Sequence, residues 1–254
     1  MLPFFRKIRW RLAQDNQFFK YSRYALGEII LVVIGILIAL QINNWNEEKK
    51  ENEHFLNNLR GMRSDLISDT LSFNNYLEFL EQTSQGKELL LQQESFDEFT
   101  LDSLIGLIQP FFDVNEFNVK SYEKIDWSSV RQDERLDSLV SSIQNYYLKR
   151  KGYHDTNVNW DKDYALKEAE YWYYHEDFEM SYLESVNKHY PYLNSEVERL
   201  RDLKKELNTV KVRNLIRMAI YRKSWVKRTV LTSKAEATKL LASIEEYLEA
   251  SQTD

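Results

Sequence analysis

The sequence contains no cysteine, and among its 254 residues only 6 are glycine and 3 are proline. The absence of cysteine excludes disulfide bonds, thiolate metal sites and cysteine nucleophiles. Because glycine and proline form most tight turns, their scarcity disfavours a many-stranded β protein and favours long helices. The Gly-rich phosphate loops, the GxSxG elbow and the HExxH pair are also missing. The sequence therefore predicts an all-α protein that is not an enzyme.

Metal-binding patterns are incomplete. Glu51 and His54 have the spacing used in helical di-iron proteins, but the sequence holds no second pair of this kind. His175 and Glu179 can share a helix face, but two ligands do not make a metal site. We therefore predict no metal and no cofactor.

One long apolar run stands near the N-terminus, at residues 25–42, and it is uninterrupted over residues 29–40. At about 1.5 Å per residue it extends roughly 27 Å, close to the thickness of a bilayer core. Tyr21 and Tyr24 precede the run and Trp45 follows it, where aromatic rings anchor a helix at the two membrane interfaces. We predict a transmembrane helix over residues 24–42, with the lipid bilayer as its first partner. A buried core helix is the alternative.

Charge predicts the orientation of this helix. Residues 1–23 contain six lysines and arginines and one acid, Asp15, whereas Glu47 and Glu48 follow the apolar run. The positive-inside bias places residues 1–23 in the cytoplasm and residues 43–254 across the membrane. Apolar residues recur at helical spacing within 1–23, which is typical of a basic amphipathic helix on the cytoplasmic leaflet. A topology signal without further role explains the same pattern.

The stretch from Tyr24 to Asn46 reads YALGEIILVVIGILIALQINNWN. It resembles the N-terminal signature of a family of uncharacterised single-pass membrane proteins from Bacteroidota. This resemblance implies a Gram-negative inner membrane and a periplasmic C-terminal domain. It supplies no catalytic residues.

After the apolar run, the sequence predicts an extramembrane α-helical bundle with long helices over residues 43–254. The first helix is predicted from Trp45 to about residue 93, with a break near Gly86. Further helices are predicted before Pro110, over residues 122–128, over 133–149 with an end at Gly152, over 161–186, and from a cap at Asn194 or Ser195 onward. The apolar stripe of the first helix consists of Phe55, Leu59, Met62, Leu66, Phe73, Leu77 and Leu80.

Charge is unevenly distributed in this bundle. Six of the 34 basic residues and two of the 40 acids precede residue 43, so the remainder carries a net charge near −10, which disfavours nucleic acid as a partner. Residues 199–228 are nevertheless strongly basic, and residues 161–184 are strongly acidic. The basic stretch is either a docking face for an acidic partner or lipid headgroups, or it pairs with the acidic helix inside the bundle; we favour the pairing. The docking interpretation uses Arg213, Arg217, Tyr221, Arg222 and Trp225.

Two features of the apolar run bear on function. Glu28 lies about 6 Å of helix rise beyond Tyr24, and a carboxylate at this depth is either an ion- or proton-responsive group or a shallow side chain that reaches the interface. Gly35 and Ala39 form a pair of small residues that allows two helices to approach closely. The chain is therefore expected to self-associate.

These observations predict a membrane-anchored periplasmic protein that binds other proteins or scaffolds a complex. One alternative is an accessory subunit of an ion-driven or transport complex that uses Glu28. A second alternative is a periplasmic sensor with a ligand groove at the aromatic cluster of Tyr171, Trp172, Tyr173, Tyr174 and Phe178.

Overall fold

The computed structural model describes residues 17–128, 130, 134–180 and 191–251, and these residues form helices and no strand. This confirms the predicted all-α fold, in which a long N-terminal apolar helix is followed by other helices. The predicted basic amphipathic segment lies mostly outside the described residues. The helices are α1 (Gln17–Gln92), α2 (Leu101–Ile108), a 3₁₀ turn (Tyr122–Lys124), α3 (Glu134–Gln144), a π-helical segment (Asn145–Arg150), α4 (Lys151–Tyr173), α5 (Glu196–Leu207) and α6 (Val210–Ala250).

The chain divides into two compact units, one of residues 1–55 with 128–130 and one of residues 56–127 with 131–254. In the first unit, the side chains of residues 26–54 of α1 are exposed. The most apolar 18-residue window of this helix has a mean hydropathy of 2.3 and no buried residue. By length and composition, the helix can span a membrane.

In the second unit, the apolar stripe of α1 faces the core as predicted. Its members from Leu59 to Leu80 are fully buried, except Leu77, which is half-buried. The predicted break at Gly86 is wrong, since α1 continues to Gln92. A Cβ at Gly86 would lie 3.1 Å from Cδ2 of Leu107, so this glycine gives room for α2 to pack closely.

The middle helices depart most from the prediction. Gly152 does not end a helix, because the π-helical segment connects α3 directly to α4 and Gly152 lies in the first turn of α4. A wider i→i+5 turn accommodates an extra residue without breaking the helix. Downstream, α4 ends at Tyr173 rather than extending through the predicted 161–186, and residues 181–190 lie outside the described part. The predicted 122–128 helix is a single 3₁₀ turn.

The start of α5 follows the prediction. The Ser195 hydroxyl oxygen accepts a hydrogen bond from the Glu198 backbone N–H, and the Glu198 carboxylate accepts one from the Ser195 backbone N–H, which completes a capping box. A second cap at Thr209 then begins α6. The apolar core at this end of the second unit gathers residues from α1, α2, α4, α5 and α6 and from the segments that follow α1 and α4: Leu90, Phe96, Leu101, Leu104, Ile105, Ile108, Trp172, Phe178, Met180, Leu203, Leu207, Val212 and Ile216.

Candidate functional site

A buried ionic cluster joins three helices of the second unit. Glu168 on α4 accepts from Nζ of Lys87 on α1 through Oε1 at 2.6 Å, and from Nη2 of Arg222 on α6 through Oε2 at 3.3 Å. Asp161, about two turns earlier on the same face of α4, accepts from Nε of Arg222 at 3.1 Å and from Nζ of Lys223 at 3.2 Å. All five side chains are at most 4% exposed. Charges this deeply buried require such pairing.

Three cations share only two carboxylates in this cluster, and backbone carbonyls complete it. The ammonium of Lys87 donates to the Ile108 carbonyl oxygen at 3.3 Å, and that of Lys223 donates to the Phe111 carbonyl oxygen at 3.0 Å. Burial lowers the pKa of Lys223, although Asp161 opposes this effect. The cluster thus fixes the chain on both sides of Pro110 as well as the helices.

The ion pairs decide between the two interpretations of the basic stretch for its central residues. Arg222 and Lys223 pair with the acidic helix α4, so the pairing interpretation is confirmed there. Arg222 is 3% exposed and does not belong to an accessible docking face. Lys87 was not recognised in the sequence as a member. The sequence feature that could have identified it is the position of this lysine three residues before Leu90, on the side of α1 that is otherwise apolar.

The other predicted docking residues are dispersed along α6. Arg213 is half-buried and donates to the Leu91 carbonyl oxygen at 3.0 Å. Arg217 is exposed, with Nη1 3.4 Å from Oδ1 of Asn214. Tyr221 is 54% exposed. Trp225 lines a groove beside α6.

This groove, with a volume of about 530 Å³, lies where the π-helical segment and the start of α4 face α6. Arg150 forms a two-pronged ion pair with Glu236, with N–O distances of 2.8 and 2.5 Å. The Arg228 guanidinium lies 5.5 Å from the centre of the Trp225 ring. The surface therefore combines cations with aromatic faces. Its lining residues are Asn145, Lys149, Arg150, Tyr153, Trp225, Arg228, Thr229, Thr232 and Glu236; we name it the α6 groove.

Behind the π-helical segment, a buried carboxylate fastens the connection that follows Pro110. Asp69 on α1 accepts from the Asn118 backbone N–H at 2.9 Å and from the Tyr146 hydroxyl at 3.2 Å. Burial raises the pKa of Asp69 to about 6. Nearby, burial lowers the pKa of His154 to about 4, and Nε2 of this neutral ring donates to the Asn115 carbonyl oxygen at 3.2 Å.

The raised pKa of Asp69 predicts a pH-dependent difference in stability. Its folded-state pKa of about 6 exceeds the ordinary value of 3.8, so its contribution is complete below about pH 4 and is lost as the pH rises through about 6. The unfolding free energy of Asp69→Asn minus that of the wild type should therefore increase by about 3 kcal/mol as the pH rises from ~4 to ~7. Urea denaturation of the full chain in non-ionic detergent measures this difference.

His154 gives the opposite pH dependence in both proteins, because its pKa is lowered on folding. That contribution cancels in the difference between variant and wild type. If the unfolding free energies of the two proteins changed in parallel with pH, the pKa of Asp69 would not be raised by folding.

The predicted aromatic cluster is divided between the core and the surface. Trp172 and Phe178 belong to the apolar core, whereas Tyr174 is 82% exposed. The Tyr171 hydroxyl donates to Oε2 of Glu206 at 3.2 Å. His175 lies 3.5 Å from the same oxygen. It follows the end of α4 at Tyr173, so His175 and Glu179 do not share a helix face.

The predicted membrane features lie on the apolar part of α1. Glu28, Gly35 and Ala39 are exposed, and apart from its chain neighbours and the adjacent backbone of its own helix, nothing lies within 4 Å of a Cβ built at Gly35. Trp45 is 66% exposed beyond the apolar run. The side chains of Tyr21 and Tyr24 lie outside the described residues. Across the part of the chain that the structure describes, no three histidine or acidic side chains converge as metal ligands.

Comparison with known proteins finds no match among curated proteins and none among solved structures. A family model does match the chain, over residues 28–110. The matched region comprises most of the apolar run, the part of α1 from there to Gln92, and all of α2. The N-terminal third of this chain is therefore similar to a family of unknown function, DUF6090.

Proposed function

We propose that this protein is anchored in the inner membrane by α1, with its N-terminus in the cytoplasm and residues 43–254 in the periplasm. The length and apolarity of the helix support the anchor. The excess of lysine and arginine before residue 24 supports the orientation. The resemblance to Bacteroidota membrane proteins supports the inner membrane of a Gram-negative cell.

We propose further that the periplasmic helical domain binds another protein. The observation that carries this proposal is the α6 groove. Its exposed cations Lys149 and Arg228 stand apart from the buried ionic cluster that holds the helices together. Aromatic and arginine side chains are the residue types most enriched in protein interfaces. A scaffold or binding module needs such a surface and no catalytic group.

Affinity purification of the tagged full chain from its own membranes, in mild detergent, tests this function. The matched control carries the same tag on residues 1–50 alone, which keep the anchor and lack the helical domain. We expect a partner protein in fixed ratio with the full chain and none with the control. No partner with either chain would contradict the proposal.

Recovery of the same partner by both chains would favour the other class of function. It would assign the contact to the membrane-spanning segment, where Glu28, Gly35 and Ala39 lie. That result would support an accessory subunit of a membrane complex rather than a periplasmic binding module.

A further inference from the structure

We propose that the α6 groove binds a short acidic segment of the partner protein, whose carboxylates contact Lys149 and Arg228. This proposal rests on the proposed function, because it names the surface and the chemistry through which the periplasmic domain would bind. It assigns no role to the buried ionic cluster.

The first observation that supports an acidic ligand is the balance of charge in the groove. Arg150 and Glu236 neutralise one another through two N–O contacts. Lys149 and Arg228 are exposed, and among the described residues no carboxylate lies within 4 Å of either. The groove therefore presents two uncompensated positive charges. Oppositely charged groups on a partner would steer association and fix its register.

The walls of the groove are held in place before any partner arrives. The Trp225 indole N–H donates to Oδ1 of Asn157 at 2.6 Å, which fixes the plane of the ring. Arg228 lies above that ring, and Arg150 lies 5.7 Å from the centre of the Tyr153 ring. Contacts of this kind orient both guanidinium groups and reduce the entropy lost on binding.

Size and surroundings favour a short peptide as the occupant. A volume of about 530 Å³ accommodates the side chains of a few residues. Residues 43–254 carry a net charge near −10, so a long polyanion would be repelled beyond the groove. A segment with a few carboxylates can use the local positive charge without extending over the acidic remainder of the domain.

Fluorescence anisotropy of the full chain in non-ionic detergent tests the proposal, with fluorescein-labelled hexaglutamate as the probe and hexaglutamine as the uncharged reference. We expect hexaglutamate to bind and hexaglutamine not to bind. The Lys149→Ala/Arg228→Ala double variant should weaken hexaglutamate binding about tenfold, because it removes both positive charges that the peptide carboxylates would contact.

The matched control is the Lys205→Ala/Arg217→Ala double variant, which removes the same charge from exposed positions outside the groove. It should bind hexaglutamate as the wild type does. Both double variants change exposed side chains only, and circular dichroism verifies that they fold.

Three results would overturn the proposal: no binding of hexaglutamate, equal weakening in both double variants, or tighter binding of inorganic phosphate than of the peptide. The last result would make the groove a phosphate site. Failure here is distinguishable from failure of the proposed function. If the affinity purification recovers a partner equally with the wild type and the groove variant, the domain binds proteins through another surface.

Discussion

Glu168→Ala should lower the free energy of unfolding by about 3–5 kcal/mol, because it leaves the buried Lys87 without a counterion and Arg222 with Asp161 alone. Oε1 and Oε2 of Glu168 accept from Lys87 and Arg222, and both cations are at most 4% exposed. After the substitution, Lys87 would retain only the Ile108 carbonyl oxygen as a hydrogen-bond partner. Urea denaturation of the full chain in non-ionic detergent, followed by tryptophan fluorescence, measures the loss.

Glu170→Ala is the matched control for this experiment. Glu170 lies two residues later on α4 and is exposed, so its removal should change the unfolding free energy by no more than about 0.5 kcal/mol. Glu168→Gln keeps the side-chain shape and one acceptor oxygen but removes the charge, and we expect an intermediate loss. Equal effects of the two alanine variants would contradict the assignment of Glu168 as the centre of the cluster.

Trp172→Ala should also cost about 3–5 kcal/mol of unfolding free energy, through loss of buried apolar area and creation of a cavity. Trp172 is 1% exposed within the apolar core, and its ring meets that of Tyr171 edge-on at 5.1 Å between centres. The same denaturation experiment measures this variant. The size of the ring makes it one of the largest fully buried side chains of the described residues.

Tyr174→Ala, two residues later, provides the comparison, since Tyr174 is 82% exposed. Its substitution should alter the unfolding free energy by less than about 0.5 kcal/mol. If Trp172→Ala were as mild as this control, Trp172 would be free to line a ligand groove, as the sensor hypothesis requires. A large loss assigns the residue to the core.

Helical periodicity predicted the fold because the apolar stripe of α1 repeats at spacings that place its members on one face. Leu59, Met62 and Leu66 are fully buried as expected. The helix start at Ser195 was also predicted, because a capping residue just before an apolar stripe is a local and chemically specific signal. These features depend on neighbouring residues only, and a single sequence carries that information.

The α6 groove was not readable in this way. It depends on the π-helical segment, whose wider turn shifts the register of the side chains that follow it on α4. The sequence around Gly152 indicated a helix end instead. The predicted docking face likewise treated Arg222 and Trp225 as neighbours on one surface, but Arg222 is buried against Asp161 while Trp225 reaches the groove. The groove and the burial of Arg222 both depend on contacts with residues that are distant in sequence.

Lys87 is a further example of a buried contact that the sequence alone did not predict. A lysine on an apolar helix face is unfavourable by local rules, and only the carboxylate of Glu168, distant in sequence, makes its burial tolerable. The general pairing of the basic and acidic helices followed from the uneven distribution of charge along the chain. The identity of the residues that pair did not.

The most direct test of the central claim, that α1 anchors an exported helical domain, is the sidedness of the two ends of the chain. Because the sequence has no cysteine, Asn16→Cys and Glu249→Cys each introduce the only thiol of the chain. Labelling of the chain therefore reports on that position alone. Labelling of spheroplasts with a membrane-impermeant maleimide should modify the Glu249→Cys chain directly and the Asn16→Cys chain only after lysis. Labelling of the Asn16→Cys chain in intact spheroplasts, or release of either chain from washed membranes, would contradict the account.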